Sequence, residues 1–286
     1  MEIIDDETQF IDDDYDHSNP GLFYTVTRIG KEFEYYEKGC NCENSNCTTE
    51  TGCDCLKYGD NYQLNDEGNL ILKNDKFDNA LPIFECNFNC SCFRHVFENR
   101  NRHGSGKVSK LFCPNRNVQF GPLKTLEIFD AGKKGLGLKT NETIRRGTFI
   151  CEYAGEIINL KTAKEREKNQ RDDMNYIFIC KEYAGDKFCN VTIVDPTFIG
   201  NVGRYINHSC QPNSVIVPIR VNDSTPHLCV FAIRDIEKNE EICYDYSGRN
   251  RIETTPSNEI DFPNRKLCYC QSPSCKSFLP YELNRD

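Results

Sequence analysis

The sequence predicts an α+β fold that is mainly β, and three observations carry that prediction. Short β-branched or aromatic runs bounded by polar turns fill the middle of the chain. One stretch reads as a helix, and cysteines crowd both flanks of the strand-rich region. Taken in order, residues 1–30 open with a run of Asp and Glu, including Asp12-Asp13-Asp14. No Lys or Arg occurs before Asn19, so this segment is expected to be a solvated, disordered tail. Cysteines then occupy residues 40–113. Phe149–Tyr153, Tyr176–Cys180, Val215–Val217 and Leu228–Ala232 have strand composition and strand length. Leu160 to Arg171, rich in Lys, Glu, Arg and Gln, is the predicted helix.

Composition narrows the function classes. The 286 residues suffice for one sizeable core with satellites, or for two small domains. No apolar run approaches the ~20 residues that span a bilayer, so no membrane association is expected. Met1–Glu7 lacks the basic and apolar regions of a secretory signal. Eighteen cysteines without such a signal favour metal thiolates over disulfides, since reducing compartments keep thiols free. A net charge of −9 disfavours a general nucleic-acid coat and suits a basic partner.

The densest chemistry lies in Gly203-Arg204-Tyr205-Ile206-Asn207-His208-Ser209-Cys210, followed by the turn signal Pro212-Asn213. So many polar groups make poor core material, because each needs a partner when buried. Glu240-Glu241-Ile242-Cys243-Tyr244-Asp245-Tyr246 follows, and then the spacing Cys268-x-Cys270-x4-Cys275. Upstream, Cys40, Cys42, Cys47, Cys53, Cys55, Cys86, Cys90, Cys92 and Cys113 make nine thiols. Nine is not a multiple of the four ligands that structural zinc takes. Three zincs need twelve Zn–S bonds, and nine sulfurs supply them if three sulfurs bridge two metals each.

These pieces, in this order, resemble the SET-domain protein lysine methyltransferases. They are most similar to the Suv39-like branch, with cysteine-rich pre-SET and post-SET segments, and within it to transposase-fused members. The resemblance implies small curved sheets around a threaded C-terminal segment. It divides the chain into a pre-SET zinc domain at 38–121, a SET catalytic domain at 124–247 and a post-SET zinc segment at 264–280. It implies the bridged three-zinc cluster for the nine thiols. Cys113 is displaced in it by an insertion, residues 93–112, that carries Arg94, Arg100, Arg102, Lys107 and Lys110. It adds Cys210 to Cys268, Cys270 and Cys275 to close a fourth zinc site. That site would clip Phe278, Leu279 and Tyr281 against the active site.

The implied activity is methyl transfer from S-adenosylmethionine to lysine. Tyr246 matches the family's catalytic tyrosine, Tyr176 the second channel tyrosine, and Tyr244 the position that sets product degree, here mono- and dimethylation. Lys134, Gly135, Leu136, Tyr153, Arg204, Asn207 and His208 are the implied cofactor residues. The family's Trp is replaced by Leu136, whose contact is through backbone. The implied partner is the histone H3 tail or nucleosome. The lysine at position nine is favoured, with thirty-six and four also in play. Nuclear, chromosomal localisation is expected, without sequence-specific DNA binding. No reader domain precedes the catalytic region, so recruitment is expected to rest on unidentified partners or the tail. A catalytically silent zinc-stabilised chromatin module is the competing reading. A zinc-ribbon DNA-binding protein is a third, disfavoured by the acidic balance.

Overall fold

The computed structural model describes residues 22–30, 33–78, 81–93, 113–123, 125–169, 176–184, 187–248 and 266–280. The acidic run before residue 22, the basic residues of the insertion and Tyr281 lie outside them. Among the described residues the fold is mainly β, with two α-helices. The strands are β1 (Phe23–Tyr24), β2 (Tyr62–Leu64), β3 (Leu70–Leu72), β4 (Ile83–Phe84), β5 (Leu126–Asp130), β6 (Leu136–Thr140) and β7 (Phe149–Glu152). They continue as β8 (Gly155–Ile158), β9 (Phe178–Ala184), β10 (Lys187–Gly200), β11 (Asn207–His208), β12 (Ser214–Arg220), β13 (His227–Ala232) and β14 (Cys243–Tyr244). The helices are α1 (Asn74–Asp78) and α2 (Leu160–Asn169).

Two sheets carry the catalytic half. In one, the order is β4-β12-β13-β7; in the other, β10 pairs with β1, β8 and β9. Strand β13 is buried at every position, as a central strand covered on both faces should be. Its neighbour β12 is less covered, because Val215 and Ile216 are only partly buried. One apolar core gathers Leu138, Ile150, Val202, Ile206, Val230 and Ile242, between the hairpin β5-β6 and the segments that flank β11 and β14. A second joins Phe149 and Phe231, their rings 5.6 Å apart, to Leu72, Ile83 and Ile219. The pre-SET region contributes Tyr62, Leu72, Phe77 and Ile83 to that second core. Its buried centre consists of cysteines around Leu56.

Helix α2 is polar almost throughout, with Ala163 its buried residue. It is held by Arg166, which reaches Glu156 at 2.7 Å and Asp195 at 2.6 Å. The cysteine-rich half is tied to the catalytic half by β4, paired in parallel with β12. Glu85 adds to this through its amide, which donates to the Arg220 carbonyl at 2.8 Å, while its carboxylate accepts from Tyr62, Asn117, Val118 and Gln119 within the cysteine-rich half.

Within the segment expected to be a disordered tail, residues 1–30, the described residues are structured instead. Phe23 and Tyr24 pair with Ile199 and Gly200, the Thr25 amide donates to the Gly200 carbonyl, and Ile29 exchanges hydrogen bonds with Gly155 and Ile157. The acidic run stops where Phe23, Tyr24, Val26 and Ile29 begin. These apolar residues have strand propensity, so the chain docks as a strap. Arg28 is buried, with one guanidinium nitrogen 2.8 Å from both Asp223 carboxylate oxygens. Beside it, Glu152 accepts from the Thr27 hydroxyl at 2.8 Å and the Arg28 amide at 3.0 Å, and meets His227 Nδ1 at 3.0 Å.

Burial alone would raise the Glu152 carboxyl, but His227, Arg28 and Thr27 outweigh it and hold the group below its ordinary value. A carboxylate depressed by folding contributes stability above its unfolded pKa of about 4.5 and loses it as pH falls through the folded value. Hydrogen exchange at the Arg28 amide is therefore expected to accelerate below about pH 4.5. Glu152→Gln should remove that acid step and cost ~3–5 kcal/mol in urea unfolding, because it leaves a buried network half paired. An unchanged exchange profile in the variant would sink this account.

Candidate active site and zinc-thiolate clusters

In the first cysteine region the sulfurs converge into three overlapping sets. They are Cys40, Cys47, Cys53 and Cys86; Cys40, Cys55, Cys86 and Cys90; and Cys47, Cys86, Cys92 and Cys113. Within each set the ligand atoms lie within 4.8 Å of one another. Cys40 is 3.8 Å from Cys47 and 3.9 Å from Cys86, and Cys86 is 3.7 Å from Cys113. Four sulfurs ~2.3 Å from a tetrahedral zinc stand ~3.8 Å apart. A disulfide needs ~2.05 Å, and all eighteen cysteines are unpaired. The remaining thiol of this region, Cys42, lies beside Cys53 and Cys40.

The backbone donates into these sulfurs. The Cys40 and Asn87 amides reach Cys90 at 3.3 and 3.2 Å, and the Asn115 amide reaches Cys113 at 3.3 Å. Buried Arg116 is held above its ordinary pKa despite its burial, because Cys92, Cys113 and Cys86 adjoin it. Amides and a guanidinium facing sulfur are what anionic thiolates need, so this donor set fits zinc.

A fourth set brings Cys210 together with Cys268, Cys270 and Cys275, again within 4.8 Å. The segment that carries the last three folds back on itself. Leu267 bridges Phe278, the Cys268 amide donates to Ser277, and the Leu279 amide donates to Lys266. Lys133 lies 5.4 Å over the Tyr269 ring, so this segment reaches the turn around Gly135.

Between these regions, β11 and β14 run side by side in parallel, pairing Asn207 with Cys243 and His208 with Tyr244. The loop that leads into β11 passes so close to β7 that a Cβ on Gly203 would sit 2.7 Å from the Glu152 carbonyl oxygen. Only glycine permits that approach. Beside this crossing, next to Tyr153, lies an aromatic cluster. Tyr244 is buried, with Tyr246 at 4.8 Å, Phe178 at 5.8 Å and Tyr153 at 6.3 Å between ring centres. The Tyr153 hydroxyl donates to the Tyr176 carbonyl at 2.6 Å, and Arg204 lies 4.3 Å over the Tyr176 ring. The Tyr246 hydroxyl donates to the Ile206 carbonyl at 3.0 Å, while 37% of the residue stays exposed. Burial pushes Tyr153, Tyr244 and Tyr246 above the ordinary phenol value, so all three stay protonated.

Beside this cluster Gly135 takes φ +78°, and a Cβ there would meet nothing within 4 Å, so backbone faces open space. Leu136 is 49% exposed on the same turn. Asn207 ties the turn to β11, donating to the Leu136 carbonyl at 3.1 Å and to Glu241 at 3.0 Å. Lys134 forms an ion pair with the same Glu241. His208 accepts the Tyr246 amide at Nδ1, 3.2 Å away, and burial lowers its pKa.

The structure thus gathers Tyr153, Tyr176, Arg204, Tyr244 and Tyr246 around one aromatic cluster. It places Lys134, Gly135, Leu136 and Asn207 on a neighbouring rim, with His208 between. Three contributors escaped sequence reasoning. Glu241, within the run already noted, clamps Lys134 and Asn207. Phe178 packs on Tyr244 and Tyr153, and Tyr269 meets Lys133. No local pattern pairs residues so far apart in the chain.

Comparison with known proteins agrees with this geometry. The SET domain family matches residues 135–247. The histone-lysine N-methyltransferase SETMAR of Mus musculus is 40% identical over 250 residues, covering 85% of this chain and 74% of that protein. The crystal structure of the methyltransferase domain of human SETMAR superposes with a TM-score of 0.70 at 36% identity, over 91% of this chain and 90% of that one. A structure of KRYPTONITE with mCHH DNA, an H3(1-15) peptide and SAH superposes with a TM-score of 0.61 at 26% identity. It covers 94% of this chain but only 50% of KRYPTONITE. The chain accordingly belongs to the SET-domain histone-lysine N-methyltransferases, in the Suv39-like branch flanked by cysteine-rich segments, and is an S-adenosylmethionine-dependent enzyme.

Proposed function

We propose that this chain methylates the histone H3 tail, with the lysine at position nine as its preferred target and mono- and dimethyl-lysine as its main products. The observation that carries this is the aromatic cluster of Tyr153, Phe178, Tyr244 and Tyr246 beside the rim of Gly135, Leu136 and Asn207. S-adenosylmethionine would supply the methyl group as a sulfonium. Lys134, Gly135, Leu136, Asn207 and His208 would hold it, with Arg204 and Tyr153 bracing the wall behind. A lysine amine has an ordinary pKa of ~10.4 and must lose its proton before it can attack. None of the three phenols can take that proton as a strong base, since burial keeps them neutral. A dry aromatic channel favours the uncharged amine. Tyr246 then orients its lone pair by hydrogen bond, with Tyr176 closing the channel.

Tyr244 limits product degree in this reading. Its hydroxyl meets that of Tyr153 and fills space that a dimethylated amine would need. Tyr244→Phe is expected to raise the trimethyl fraction about tenfold, equivalent to ~1.4 kcal/mol in relative barrier. Mass spectrometry of H3 peptide products reads this directly, and an unchanged product ratio would remove the assignment.

Four zincs complete the proposal. Cys40, Cys42, Cys47 and Cys53 would hold the first, Cys40, Cys55, Cys86 and Cys90 the second, and Cys47, Cys86, Cys92 and Cys113 the third, with Cys40, Cys47 and Cys86 shared between them. The second and third are convergent thiol sets, and the first exchanges Cys86 of its set for Cys42, which lies beside Cys53 and Cys40, so that nine sulfurs supply twelve bonds. Cys210, Cys268, Cys270 and Cys275 hold the fourth. The enzyme acts on chromatin in the nucleus and reads no DNA sequence itself.

The experiment is a methyl-transfer assay on H3 tails in which the lysines at positions nine, thirty-six and four are replaced singly by Arg. Loss of transfer only when position nine is replaced is the expected result. Loss at thirty-six or four instead would move the target. A zinc-replete, folded protein that transfers nothing to H3 would overturn the substrate assignment.

A further inference from the structure

His208 sits between two groups that no sequence pattern connects. On one side its Nδ1 lies 3.2 Å from the backbone amide of Tyr246, and on the other its Nε2 lies 3.3 Å from the sulfur of Cys210. The nearest carboxylate oxygen, from Asp245, is 3.7 Å from Nδ1, beyond hydrogen-bond range. A backbone N–H can only donate, so Nδ1 must present a lone pair there. In a neutral imidazole the single proton is then on Nε2, and it points at Cys210. The same sulfur accepts the Lys276 amide at 3.4 Å. A zinc bound by four thiolates carries a net charge of −2, and N–H donors facing sulfur offset it. Cys210 is only half-buried, so these donors matter more than burial does.

We propose that His208 is a positioning residue that couples occupancy of the zinc site formed by Cys210, Cys268, Cys270 and Cys275 to the placement of Tyr246. This rests on the zinc reading of that site given above. With zinc bound, the Cys210 thiolate stays fixed and charged and holds the Nε2–H proton. The ring is then locked, its Nδ1 anchors the Tyr246 amide, and its face packs 5.3 Å from the Tyr246 ring. Without zinc, Cys210 is no longer held in place, the ring loses its anchor, and Tyr246 loses the bond that sets its backbone. The segment from Leu267 to Leu279 would thereby act on catalysis through one imidazole as well as by covering the site.

Two substitutions in the full chain separate the arms. His208→Gln keeps an amide nitrogen at the reach of Nε2, where it can still donate to Cys210, but loses the acceptor for Tyr246. His208→Asn keeps an acceptor near the Tyr246 amide but cannot reach the sulfur. In His208→Asn, one zinc should pass to a colorimetric chelator ~10–100-fold faster than in wild type, with the other zincs released unchanged. In His208→Gln, zinc release should stay close to wild type, while kcat falls more than KM for S-adenosylmethionine rises. Nitrogen-15 spectra of the wild type should show His208 as the Nε2–H tautomer. Equal zinc release in wild type and His208→Asn, with both variants altered only in KM, would reduce His208 to a cofactor contact and overturn the proposal. An Nδ1–H tautomer would overturn it too. A wild-type zinc content that does not fall by one in Cys268→Ser would instead overturn the zinc reading itself, and the coupling with it.

Discussion

Tyr246→Phe is expected to lower kcat for methyl transfer by about 10²–10³, the usual cost of deleting one hydrogen-bonding group aimed at a reacting centre. The fold should survive. The lost hydroxyl donates to the Ile206 carbonyl, and leaving that acceptor unpaired costs about 1–3 kcal/mol. Zinc content should not change, since Tyr246 belongs to none of the four thiol sets. The pH profile tests the assigned role more sharply than the rate does. Burial raises the Tyr246 phenol above its ordinary value, so it remains protonated while the substrate amine loses its proton. In wild type, kcat/KM should rise with pH as the amine deprotonates, with no fall from phenol ionisation below about pH 10. The variant should keep that rising limb at a lower plateau. If the rising limb vanished with the hydroxyl, Tyr246 would be the general base and the account of a neutral phenol would fail.

Cys86→Ser is expected to release all three pre-SET zincs together and to unfold the cysteine-rich half. Cys86 bridges the second and third zincs of the proposed cluster, which share Cys40 and Cys47 with the first, and its sulfur also accepts from the Asn115 amide group at 3.6 Å. Structural zinc contributes about 10–16 kcal/mol of apparent folding free energy. A whole domain is stable by only about 5–15 kcal/mol. The hydrocarbon this region buries, Tyr62, Leu72, Phe77 and Ile83, packs against the catalytic half, so it does not hold the thiol-rich centre together. The damage should spread into the catalytic half through Ile83 and Phe84, which pair with Ile219 and Arg220 of β12. A strong chelator should reproduce the effect in the wild type. Cys189→Ser, at an exposed thiol outside every set, should leave zinc content and melting temperature unchanged. Near-normal zinc content in Cys86→Ser would disprove the bridged cluster.

Much of this architecture is legible locally. Phe149–Glu152 and His227–Ala232 declare themselves as strands because β-branched and aromatic residues between turns have few other places to go. The predicted helix from Leu160 is observed through Asn169. The segment over residues 1–30 was harder, because its averaged composition hides the change at Phe23 from acidic residues to strand-forming ones. Glu241 was unreadable for another reason. Its partners Lys134 and Asn207 lie on other elements, and an ion pair leaves no periodic trace in a sequence.

By itself the sequence determined the chemistry available: nine thiols then four, and the Asn207-His208 and Tyr244-Asp245-Tyr246 runs. Ligand types and strand propensities are properties of residues and their near neighbours, so they survive in the linear order. Only the tertiary structure decided that Cys40, Cys47 and Cys86 are shared among sets, that β11 lies beside β14, and that His208 touches both Cys210 and the Tyr246 backbone. Apart from that of His208 with its near neighbour Cys210, those are contacts between segments far apart in the chain, and they exist only once the chain has crossed over itself.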